Sequence, residues 1–194
     1  MMEEKTNERR RLWIISELYY PEETSTGYYL TRIAEGLADE FDVKVISGQP
    51  NYSARGTKAL RHEFRNNVEI FRVSGTTLDK NFIPFRLTNM LTLGTLAFIR
   101  ELRKFKEGDH VLVVTNPPAL PFLTAAAALA KGATYTLLIH DNYPEILIAA
   151  GKLQSGSTIA GVLDRGNRWL YKNATRIIVV GRDMLELVGR KADG

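Results

Sequence analysis

The stretch His140-Asp141-Asn142-Tyr143-Pro144-Glu145 gathers more hydrogen-bonding groups than any other predicted strand end of the chain. An imidazole beside a carboxylate can orient hydroxyl groups or move protons near neutral pH. The same pair also fits a structural histidine satisfied by its own fold, and Glu145 fits an acid in the first turn of a helix. Gly27 stands where a loop passes into a helix. Free N–H groups there can meet an anion, and the missing side chain lets the anion come close. Gly27 could equally do no more than ease the loop into the helix. Asn51 and Tyr52 could hydrogen-bond to a sugar or stack on it, or serve as ordinary turn residues. Asn116 opens the rigid turn Asn116-Pro117-Pro118.

Two windows are locally basic. Residues 52–65 carry Arg55, Lys58, Arg61 and Arg65 against Glu63, and residues 80–106 carry Lys80, Arg86, Arg100, Arg103, Lys104 and Lys106 against Glu101. Outside them acidic residues outnumber basic ones, so the basicity is confined. Such windows suit phosphate-bearing ligands or an anionic bilayer, or form a solvated charged face. Glu107 and Asp109 partly offset the second window.

These residues need elements to hold them. Apolar runs predict strands at 12–16, 43–46, 68–73, 110–115, 134–140 and 176–180. Helical spacing predicts helices over 30–41, capped by Ser25 or Thr26, and over 86–106 and 119–131. A short helix at 144–151 follows, then one marked by Ile159, Val162, Leu163, Trp169 and Leu170, and a last one from 183 to 190. Strand and helix alternate, which predicts a Rossmann-like, doubly wound α/β domain. Its sheet is mostly parallel, with helices on both faces. Residues 1–10 read as a disordered tail and 11–194 as a single domain. Ligands of such folds sit at the carboxyl ends of the strands, where the residues above fall. The helix at 86–106 is apolar on more than one side, as expected of burial in the domain or of a second partner such as a lipid interface.

Composition narrows the function. The chain has 194 residues, a net charge of +4, 44% hydrophobic and 25% charged residues. A chain this size buries roughly 70% of its unfolded surface and needs no metal or disulfide staple. It has no cysteine, which excludes thiol catalysis, zinc-finger and iron–sulfur sites. His62, His110 and His140 lack metal-ligand spacing. No G-x-G-x-x-G follows the first strand and no acid follows the second, which argues against a nicotinamide-dependent epimerase or reductase. No nucleic-acid-binding signature accompanies the basic windows. No run of about 20 apolar residues is present, and the expected compartment is the cytoplasm.

Several segments in order carry a resemblance: Tyr19-Tyr20-Pro21-Glu22 running to Gly27-Tyr28, then Gln49-Pro50-Asn51-Tyr52, Thr115-Asn116-Pro117-Pro118 and His140-Asp141-Asn142-Tyr143-Pro144-Glu145. Together they resemble the N-terminal half of glycosyltransferase family 4, of the GT-B fold. The likeness is strongest to the branch of colanic-acid and O-antigen biosynthesis. The resemblance implies retaining transfer from a nucleotide-sugar donor to a glycan or lipid-linked glycan acceptor, with no cofactor and no required metal. By position it makes His140 catalytic and places Gly27 and Asp141 on the donor. Tyr20, Asn51, Asn116 and Glu145 fall on the acceptor side. The family's second domain, with its E-x(7)-E segment and diphosphate-gripping Arg/Lys pair, has no counterpart here. The expectation is therefore an acceptor-side half that is inactive alone, with peripheral contact to an anionic membrane through the 87–99 helix and its basic neighbours. The competing reading is a non-catalytic Rossmann-like module that binds a nucleotide, a sugar or a partner.

Overall fold

The computed structural model describes residues 9–54, 56–76, 78 and 82–192. The basic residues Arg55 and Lys80, and residues 1–8 of the expected tail, lie outside these. Arg9 and Arg10 are anchored: the Arg9 guanidinium donates to Ala38 O at 2.8 Å, and the Arg10 carbonyl accepts from Asp42 N at 3.1 Å.

Seven strands form one sheet: β1 (Arg11–Ser16), β2 (Asp42–Gly48), β3 (His62–Arg65), β4 (Val68–Val73), β5 (His110–Val114), β6 (Thr134–Ile139) and β7 (Arg176–Val179). Their order is β3-β4-β2-β1-β5-β6-β7. All pairs are parallel except β3 with β4. The helices are α1 (Ser25–Leu37), α2 (Ile83–Lys104), α3 (Leu120–Ala130), α4 (Glu145–Ala149), α5 (Thr158–Asn173) and α6 (Arg182–Ala192). This is the expected Rossmann-like α/β architecture, and it matches one half of a GT-B fold.

The sheet is buried on both faces because the runs Leu12–Ile15 of β1 and Val111–Val114 of β5 are apolar at every position. Along β1, Leu12 and Ile14 join the core under α1, with Leu30, Ala34, Val43 and Val45. Trp13 and Ile15 join the opposite core, with Leu93, Ala97, Leu120, Ala128 and Leu170 from α2, α3 and α5. Each large apolar side chain fully buried this way stabilises the fold by about 1.5–3 kcal/mol.

Three local findings differ from the sequence expectations. β3 is an added antiparallel edge strand, joined to β4 through Asn66 and Asn67, both at positive φ (46° and 62°). Asparagine tolerates that conformation in a two-residue hairpin turn. The cap of α1 is Thr24, whose side chain accepts from Gly27 N at 3.3 Å, rather than Ser25 or Thr26. Finally, α5 is a helix as expected, yet Ile159, Val162 and Trp169 face outward. It buries Ala160, Asn167, Leu170 and Tyr171 instead.

Candidate functional site

The carboxyl ends of β1, β2, β5 and β6 lie side by side, so their loops meet along one edge of the sheet. The loop after β1 carries Glu22, which is only 4% exposed. Its carboxylate accepts from the backbone N–H groups of Asn51, Tyr52 (2.6 Å), Ser53 (2.7 Å) and Ala54 (3.3 Å), and from the Ser53 hydroxyl (2.7 Å). Burial alone would raise its pKa. The hydrogen bonds from Tyr52, Ser53, Asn51 and Ala54 outweigh that and hold it below the ordinary carboxyl value. One anion in the first loop thus shapes the loop after β2. Sequence reasoning did not single out Glu22 as a site residue. The available signal was an acid directly after the proline of the first loop, facing a second loop whose N–H groups need acceptors.

Gly27 sits directly behind this acid. A Cβ there would lie 2.7 Å from Glu22 O, so no other residue fits without moving the loop. Its N–H is taken by the Thr24 hydroxyl and its carbonyl accepts from Thr31 Oγ1 at 2.7 Å. The residue before it, Thr26, places its hydroxyl 3.4 Å from His140 Nδ1. Burial lowers the His140 pKa and the neighbouring Asp141 carboxylate only partly counters this, which keeps the imidazole neutral at neutral pH.

β6 ends at Ile139, so His140 is the first residue of the loop rather than the last of the strand. Thr115 Oγ1 accepts from the N–H groups of His140 (3.1 Å) and Asp141 (3.3 Å). From the other side α5 braces the loop: Asn167 Nδ2 donates to Tyr143 O, and the Tyr171 hydroxyl donates to Asn142 Oδ1 at 2.9 Å. The loop that begins at His140 is therefore held by Thr115 on one side and by α5 on the other.

Asn116 and Tyr143 line a cleft of about 320 Å³ with Glu17, Tyr52 and Arg86. Burial raises the pKa of both phenols, so Tyr52 and Tyr143 keep their hydroxyl protons at neutral pH. Asn51 lines an adjoining hollow of about 640 Å³ with Gln49, Lys58 and Arg61. The structure thus places Thr26, Gly27, His140 and Asp141 in one group and Asn51 and Asn116 along the same edge. Tyr20 and Glu145 have other engagements. The Tyr20 ring lies 3.8 Å beneath the Arg65 guanidinium, and its carbonyl accepts from buried Arg72 at 2.7 Å. Glu145 pairs with Lys191 of α6, which also binds Asp164 at 2.6 Å. Among the described residues no group of three His, Asp or Glu side chains gathers as metal ligands. No helix of these residues is long and apolar enough to cross a membrane.

Residues 25–192 match the family model described as "Glycosyl transferase 4-like domain". The chain belongs to this glycosyl transferase 4-like family. The match begins at the first residue of α1 and ends at the last of α6, so it takes in Gly27, Asn51, Asn116 and His140. The chain is also similar to the "Probable glycosyltransferase WbjE" of Pseudomonas aeruginosa, with 28% identity over 183 residues. That alignment covers 94% of this chain and 44% of the relative. The chain therefore spans less than half the length of that curated relative. In doubly wound sheets of this kind ligands bind outside the carboxyl ends of the strands, which is where the edge described above lies.

Proposed function

We propose that the chain is the N-terminal, acceptor-side half of a retaining glycosyltransferase, similar to the colanic-acid and O-antigen branch. The enzyme would move a sugar from a nucleotide-sugar donor to a glycan or lipid-linked glycan, with no cofactor and no required metal. A second Rossmann-like unit would grip most of the donor, and the half described here would not turn over alone. The observation that carries this reading is the convergence of the Thr26–His140 pair, Asp141 and the Asn116 cleft at the carboxyl ends of adjacent parallel strands.

Retaining transfer must stabilise charge on the leaving diphosphate and hold an acceptor hydroxyl near the anomeric carbon. The first turn of α1 serves the first need. Gly27's own N–H is engaged by Thr24, so the amides of Ser25 and Thr26 are those left for an anion. Gly27 contributes by keeping that turn close to the Glu22 backbone. Neutral His140 can donate and accept at once. With one nitrogen facing the Thr26 hydroxyl, the other can hold a hydroxyl of the donor sugar, with Asp141 beside it. Asn51, Asn116 and the two tyrosine hydroxyls supply donors and acceptors for a glycan. The protein would work in the cytoplasm. Leu87 and Leu91 of α2, both more than half exposed beside Arg86, support peripheral contact with an anionic membrane.

In the complete enzyme, His140→Ala should lower turnover at least about tenfold, the size of one lost polar contact to the transition state. Unchanged turnover removes His140 from the mechanism. A complete protein that binds the nucleotide-sugar yet transfers nothing to any glycan acceptor would favour the non-catalytic module.

A further inference from the structure

The two basic windows, separated in sequence, meet in space at a place other than the strand-end edge. The C-terminal half of α2 and the β3–β4 hairpin enclose a cleft of about 720 Å³. Arg61 and His62 enter it from the first window, and Arg100, Arg103 and Lys104 from the second. Its floor is Phe71 of β4, whose ring stacks on His62 with centroids 4.7 Å apart. The Lys104 ammonium lies 4.6 Å from the centre of that same ring, and the Arg100 guanidinium 5.5 Å from it. Aromatic faces attract cations, so Phe71 pre-positions two like charges side by side.

The acids that should neutralise this charge are committed elsewhere. Glu69 lines the cleft but is already taken, by the Lys44 ammonium at 2.5 Å and by His62 Nε2 at 2.9 Å. Asp109 accepts from Trp13 Nε1 at 2.8 Å and Lys106 N at 2.9 Å, and pairs with Arg11. Glu101 is fully buried against α3, where Thr124 donates to it at 2.9 Å. Burial pushes its pKa up to about 8, despite the opposing hydrogen bond from Thr124, so it carries little charge at neutral pH. Arg61, Arg100, Arg103 and Lys104 have no carboxylate partner among the described residues. The Lys104 side extends into a second hollow that holds Lys106 together with Lys44 and Arg11, which are paired there with Glu69 and Asp42. Concave shape, unpaired cations and a low-dielectric aromatic floor together focus a positive field.

We infer that the cleft between α2 and the β3–β4 hairpin is a binding site for a phosphate-bearing anion, held by Arg61, Arg100, Arg103 and Lys104. Several cations converging on one concavity suit a diphosphate or a phosphate diester better than a single carboxylate, because more oxygens can accept charge-assisted hydrogen bonds. Leu96 and Ile99 line the same cleft and are 40% and 38% exposed, so the ligand can carry an apolar part. A lipid headgroup and a free diphosphate share this chemistry. The site stands independently of the sugar-transfer reading: Arg61 also borders the hollow beside Asn51, while Arg100, Arg103 and Lys104 lie apart from the His140 group.

The test titrates the protein with inorganic pyrophosphate by calorimetry. In parallel, its flotation is followed with phosphatidylcholine vesicles containing phosphatidylglycerol. Saturable binding of pyrophosphate supports the site with a small phosphate ligand. Binding to the anionic vesicles alone supports it with a lipid headgroup. In either arm Arg100→Gln with Lys104→Gln should weaken binding at least about tenfold, because two charge-assisted contacts are lost. Arg165→Gln with Arg168→Gln, which removes the same charge from exposed positions of α5, should leave it unchanged. Equal loss in both double variants, or no binding in either arm, overturns the assignment.

Discussion

The strand-end loops and the α2 cleft handle charge in opposite ways. At the strand ends Glu22 is buried and answered by four backbone N–H groups and a hydroxyl, so its charge serves the protein's own geometry. Beside α2 the cations are partly exposed and the nearby acids are engaged elsewhere, so the charge is left for something outside the chain. Folding stability should therefore depend on the first set and hardly at all on the second. Ligand affinity at the cleft should show the reverse.

The largest effect is expected at Glu22. Glu22→Gln replaces an acceptor of five hydrogen bonds with a group that has one acceptor oxygen and an NH₂ facing other donors. The cost should be about 2–4 kcal/mol in urea unfolding. Its folded pKa lies below the ordinary 4.5, so its stabilisation is full above that value and disappears as pH falls through the folded pKa. The variant should lack that acid-limb loss. An unchanged urea midpoint would mean that the loop after β2 holds its shape without the anion.

Glu101 tests the middle of the comparison, because it shares a helix with the unpaired cations yet is buried like Glu22. Its pKa is raised on folding, so between about 4.5 and about 8 the folded state retains a proton the unfolded chain has released. Stability should fall with rising pH across that window, by at most about 1.4 kcal/mol per pH unit. Glu101→Gln should flatten the slope in melting experiments from pH 5 to 9, and an undiminished slope would place its origin elsewhere.

The smallest effect belongs to the cleft. Arg100→Gln with Lys104→Gln should change the unfolding free energy by no more than about 0.5 kcal/mol, as for surface positions without partners. A larger loss would show that the cations are structural and would erase the contrast.

The parallel architecture was legible because runs such as Val111-Leu112-Val113-Val114 are apolar at every position, the pattern of a strand covered on both faces. β3 was hidden because His62-Glu63-Phe64-Arg65 has a single apolar residue and lies within a basic window. The Asn66-Asn67 pair that turns it back was the usable clue. The positions of His140 and Asn116 after the ends of β6 and β5 were legible because strand ends can be read from the apolar runs. Partners across the fold were not legible. Nothing local says that Glu22 reaches residues 51–54, that Lys191 claims Glu145, or that Arg61 and Arg100 line one cleft. Those pairings follow from strand order, which periodicity does not specify. Ile159, Val162 and Trp169 marked α5 as a helix and yet face outward: spacing marks a helix, while its neighbours decide which side is covered.

The loop that carries His140 hangs from α5 as well as from the end of β6. Asn167 and Tyr171 hold the carbonyl of Tyr143 and the side chain of Asn142, while the sheet side contributes the Thr115 hydroxyl. In local unfolding such a loop opens with the unit it is tied to. His140 therefore inherits its rigidity from a helix sixteen residues long that contributes no side chain to the cleft. Fraying of that helix would loosen the site before the sheet itself gave way.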